Sequence, residues 1–68
     1  MEKQELEQRI IIEEHNLELT KKEKDEWLKL AQEEGKSVPK SIDDMYNRII
    51  SERESTIRVL KERLKANI

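Results

Sequence analysis

The sequence predicts an all-α fold: an antiparallel hairpin of two long helices that dimerises into a four-helix bundle or coiled coil. Three observations carry this. Charged residues make up 44% of the chain and apolar ones 34%, with Glu, Lys, Leu, Ile and Arg dominant, which is the composition of long helices. One Gly and one Pro leave too few turns for an all-β or α/β domain. Those two residues fall together near the middle of 68 residues. They divide a single domain, 1–68, into a helix over 2–34, a loop over 35–41 and a helix over 42–66.

The first helix carries Leu6, Ile10, Leu17, Leu28 and Ala31 on one face, with Trp27 beside it. Leu6, Leu17 and Leu28 repeat every eleven residues, a period of 3.67 that lets a stripe stay on one face of an α-helix with little supercoil. Residues 20–26 are all polar, and a helix polar all round either bridges solvent or breaks. Thr20-Lys21-Lys22-Glu23 also reads as a capping box that could open a new helix. No Gly or Pro marks a joint there, and Lys and Glu are good helix formers. One continuous or mildly bent helix is therefore the preferred reading, with a break near Thr20 as the alternative.

The loop is Gly35-Lys36-Ser37-Val38-Pro39-Lys40-Ser41. Gly35 suits the left-handed residue that ends a helix, and Pro39 biases Val38 away from helical dihedrals. Ser41 is the preferred N-cap of the second helix, with Asp43 and Asp44 at the positive end of its dipole. Ser37 is the alternative cap.

The second helix has the clearest stripe: Ile42, Tyr46, Ile49, Arg53, Ile57, Leu60, Leu64 and Ile68, again on an eleven-residue rhythm. Arg53 interrupts it. Such a residue either fixes register or oligomer state or snorkels to solvent. Folding about the loop centre sets Trp27-Leu28 against Ile49-Ile50, Leu17 against Leu60, and Lys24 beside Arg53, a like-charge pair in which Glu23 or Asp25 could shield Arg53. The core and interface candidates are Leu6, Ile10, Leu17, Trp27, Leu28, Tyr46, Ile49, Arg53, Ile57, Leu60 and Leu64. Trp27 and Tyr46, the only aromatic residues, are expected to staple the loop end of the core.

Charge supports the hairpin. Residues 1–34 hold 6 Lys/Arg and 11 Asp/Glu, a net −5, and residues 35–68 hold 8 and 5, a net +3. An acidic arm joined to a basic arm by a short loop favours antiparallel packing. Two helices bury only one stripe each, so Ile11, Ile12, Leu19, Leu30, Ile50 and Val59 require a second surface. A second copy of the chain supplies one.

Little chemistry is expected. With no Cys there is no disulfide or thiolate metal site. His15 is the only histidine, and the residue three before it is Ile12, so the Glu-x-x-His pattern of helical di-metal sites fails. An interface position for His15 would let mild acid loosen the assembly. Adjacent carboxylates such as Glu13-Glu14 and Asp43-Asp44 point about 100° apart on a helix and cannot work as an acid–base pair. There is no Gly-rich phosphate loop and no nucleophile–His pair. No enzyme activity, cofactor, metal or small-molecule substrate is expected.

Arg58, Lys61 and Lys65 share one side of the second helix and are candidate phosphate contacts, although Glu54 and Glu62 interrupt them. The longest apolar run is Ile10-Ile11-Ile12, too short to span a membrane, and no apolar segment of the signal-peptide kind follows Met1. A cytoplasmic location is expected. In architecture the chain resembles the small helical hairpins of plasmid-copy-number and phage-type adaptor proteins, a likeness that carries no activity with it. The function read from the residues is a small helical protein-protein interaction module, a regulator, inhibitor or assembly factor that partners itself and another protein. The alternative is a nucleic-acid-binding or transcription-associated regulator using the basic C-terminal helix.

Overall fold

Between Glu2 and Glu34 the chain has no Gly or Pro, and it forms one unbroken helix. A computed structural model describes residues 2–66 and contains α1 (Lys3–Glu33) and α2 (Lys40–Ala66), packed as an antiparallel hairpin. No strand occurs among the described residues. Ile68, the last member of the second stripe, lies outside them.

The polar segment 20–26 stays helical for two reasons. The Thr20 hydroxyl donates to the Asn16 carbonyl at 2.9 Å, which satisfies it inside the helix instead of starting another. The segment also faces α2 and not solvent alone: Tyr46 Oη donates to Glu23 at 3.3 Å, and Lys24 reaches Asp43 at 3.8 Å and donates to Asn47. The Tyr46 ring is buried and brings from α2 the apolar bulk that α1 lacks there.

Gly35 ends α1 in the left-handed region, φ 68°. Its N–H donates to the Gln32 carbonyl at 3.1 Å, and that of Lys36 to the Ala31 carbonyl at 2.8 Å. This pair of bonds is the Schellman closure, which satisfies two of the orphan carbonyls at a helix end. Space around the Gly35 α-carbon is open, so a side chain would meet strain and no clash. Gly35→Ala is expected to cost about 1 kcal/mol, read as a lower midpoint in urea unfolding, with Gly35→Asn milder.

α2 starts two residues earlier than expected. Neither Ser41 nor Ser37 marks its start. The Pro39 carbonyl accepts from the amides of Ile42 and Asp43, both at 3.0 Å, so Pro39 stands at the cap and Ser41 lies inside the first turn. Proline suits the helix entrance because its φ is already near the helical value and its missing N–H would find no helical partner there.

The register also differs from a fold about the loop centre. Leu60 packs with Leu6 and Ile10, and Leu64 closes the cluster. Relative to the expected partner Leu17, this is a slip of about two to three turns. The cause is the loop. Helical residues advance 1.5 Å each, whereas extended ones cover about 3.3 Å. After Gly35 the chain turns back along α1, and Lys36, Ser37 and Pro39 line a groove with Trp27, Leu30 and Ala31. Equal residue counts on the two sides of the loop are therefore not equal heights.

The slip changes what reaches the seam. Leu6, Ile10, Ala31, Tyr46, Ile57 and Leu60 are buried, together with Thr20, while Leu17, Ile49, Arg53 and Leu64 are half-buried. Trp27 and Leu28 were expected in the core but remain 39% and 49% exposed. Ile49-Ile50 is not opposite them; Val38, Asp43 and Tyr46 are their neighbours instead. Nor does Lys24 meet Arg53. Glu13 does, at 3.7 Å.

Candidate functional site

The residues on either side of the seam make two unlike flanks. Successive residues on a helix turn by about 100°. Viewed end-on, antiparallel helices wind in opposite senses, so residues offset from the seam in the same angular direction on each helix fall on the same side of the hairpin. Glu14 and Lys61 both lead their stripes, and they meet at 3.4 Å. That flank is charged. Glu14, Glu18, Glu54, Arg58 and Lys61 line a shallow groove floored by Leu17 and Ile57.

Residues that trail the stripes form the other flank, which gathers most of the exposed apolar side chains, with Glu23, Glu26, Ser55, Thr56 and Arg63 interspersed among them. On α1 it carries Ile12, Leu19, Trp27 and Leu30, all exposed, and on α2 Met45 and Ile49, half-buried, and Val59, exposed. In the observed register these stand as three rungs along the hairpin: Ile12 level with Val59, Leu19 with Ile49, and Trp27 with Met45. Five of the six residues expected to need a second surface are exposed: Ile11, Ile12, Leu19, Leu30 and Val59. Ile50 is half-buried. Ile11, 65% exposed, points away from both the seam and the rungs.

Surface area makes the same point. The chain exposes 5520 Å², against about 4,500 Å² for a folded monomer of 8.2 kDa. Its radius of gyration is 15.6 Å, where a compact chain of this length has about 11 Å. A single sheet of contact between two rods leaves most of each rod outside.

Within the seam, one polar cluster had not been foreseen. Glu13 is only 13% exposed at its side chain and is held between Arg9, 3.2 Å away, and Arg53, at 3.7 Å. Arg53 Nε is buried without a hydrogen-bond partner. The guanidinium therefore neither snorkels freely nor meets Glu23 or Asp25. Glu13 occupies a seam position in the Leu6, Ile10, Leu17 series, four residues before Leu17 and three after Ile10. A carboxylate at a stripe position of one arm and an arginine at a stripe position of the other was the available sign of a pair.

The remaining candidates are dispersed. Arg58, Lys61 and Lys65 are exposed on α2, but Lys61 is tied to Glu14 and Arg58 shares its groove with Glu14, Glu18 and Glu54. His15 is exposed and lies on the side of α1 opposite the seam. Among the described residues no three His, Cys, Asp or Glu side chains are grouped to hold a metal ion, and no helix is long and apolar enough to cross a membrane. Comparisons with protein-family models, with curated proteins and with solved structures found no match.

Proposed function

We propose that this chain is a non-enzymatic helical interaction module of the cytoplasm. It acts as a regulator, inhibitor or assembly factor by presenting helix surfaces to protein partners, a second copy among them. The observation that carries the reading is the apolar flank: Ile12, Leu19, Trp27, Leu30 and Val59 lie exposed on one side of a chain too small to cover them. Exposed apolar side chains gathered on one side of a small chain mark a site of protein association, and an apolar helix face is read by packing against another helix.

The exposed Arg58, Lys61 and Lys65 support a second reading, phosphate recognition by α2. The carboxylates of Glu14, Glu18 and Glu54 stand among them and oppose it. Fluorescence anisotropy of a labelled DNA duplex and a labelled RNA strand, at 50 and 200 mM salt, separates the two. No rise in anisotropy at micromolar protein is expected at either concentration. Binding that is tight at low salt and lost steeply at high salt, the mark of phosphate contacts, would overturn the interaction-module reading.

A further inference from the structure

We propose that the apolar flank is the face on which two copies of this chain dimerise, with a two-fold axis parallel to the hairpin so that both loops lie at the same end. The proposal deepens the reading of the chain as an interaction module and rests on it. Its first support is area. The surface exceeds that of a compact monomer of this mass by about 1,000 Å², close to the roughly 800 Å² that each partner buries in a stable interface.

The second support is charge, which also selects the axis. A two-fold interface presents the same patch from both copies, so only two axes fit an elongated face. An axis running across the hairpins lays α1 on the other copy's α1, setting the arm of net −5 on another of −5, and sends the loops to opposite ends. An axis along the hairpins lays α1 on the other copy's α2, setting −5 on +3. Every neighbouring pair of helices is antiparallel about either axis, with the dipoles opposed, so charge alone selects between them. The rungs meet level with level: Leu19 on Ile49, Ile12 on Val59, and Trp27 on Met45.

The chain has no Cys, so a single Ser37→Cys in the exposed loop carries a nitroxide, and double electron–electron resonance reads the loop-to-loop distance. Sedimentation equilibrium on the same chain gives its mass. The expected result is a dimer with labels within about 25 Å, two to three interhelical spacings of 8–10 Å. Labels near the 52 Å length of the hairpin would overturn the axis. A monomer at every concentration would overturn the dimer and leave the interaction-module reading standing, since only phosphate binding removes that. Leu19→Asp, at an exposed position, is expected to abolish the dimer, and a persisting dimer would overturn this face. Should that variant also lose its helicity, the emission of Trp27, the sole tryptophan, decides the face in the unlabelled native chain: a blue shift with concentration supports it, and an unmoved spectrum overturns it.

Discussion

Leu60→Asp is expected to abolish the far-ultraviolet helical signal at 25 °C. Leu60 is 7% exposed and sits between Leu6 and Ile10, with Leu64 alongside. The substitution removes about 1.5–3 kcal/mol of apolar burial and sets a carboxylate among aliphatic side chains with no cation in the cluster, at a further cost of several kcal/mol. A core in a chain of this length rarely supplies more than about 3–5 kcal/mol, so the loss is global. Ile11→Asp is the matched control. Ile11 is 65% exposed, and its variant should keep its helicity. A helical Leu60→Asp would refute the seam. Ile49→Asp belongs between the two, because Ile49 is half-buried beside the apolar flank.

Reversing the seam carboxylate is the second large effect. Glu13→Lys places a third cation between Arg9 and Arg53, where the side chain at 13 is only 13% exposed. Loss of two ion pairs and the added repulsion should cost about 2–3 kcal/mol, discounted from the fully buried case because Arg53 is a third exposed. For a domain of this size each kcal/mol moves the melting temperature by about 4–8 °C, so a drop of about 10–20 °C in a thermal melt is expected. The double variant Glu13→Lys with Arg53→Glu should recover part of it. A double variant no better than the sum of its parts would show that the two residues do not act as a pair. Arg53→Met is instructive beside it. It removes the unpartnered Nε and completes the apolar stripe of α2, but it leaves the half-hidden Glu13 with Arg9 alone. It should therefore lower the melt by less than Glu13→Lys does, and Arg53→Met combined with Glu13→Gln should recover the loss.

Those two variants also mark how far the sequence alone could be read. Both helices, the glycine that ends α1 and the face used by α2 follow from local signals, because 3.6-residue periodicity and cap chemistry act over one or two turns. The continuity of α1 through Thr20 was legible for the same reason: nothing there breaks a helix. The partner of Arg53 was not legible. Choosing between Glu13 and Glu23 requires the register, and the register depends on how far four loop residues travel, which sequence spacing does not encode. Trp27 and Leu28 were misplaced by the same slip. Pro39 was read as a mark of the loop, whereas its carbonyl accepts the first bonds of α2. The apolar flank was visible as residues left over from two stripes, but its gathering onto one side of the hairpin needs the antiparallel geometry as well.

The placement of the Leu6–Ile10–Leu60 cluster has a mechanical consequence. Residues 2 and 66 lie side by side at the end of the hairpin away from Gly35, and this cluster is the first apolar layer behind them. A load applied across those two ends would peel the helices apart layer by layer, with the force borne by one layer at a time. The tightest layer stands first in line. It should therefore act as a latch: extension waits until Leu60 leaves Leu6 and Ile10, and the salt-bridged and loop-proximal layers then follow at lower force.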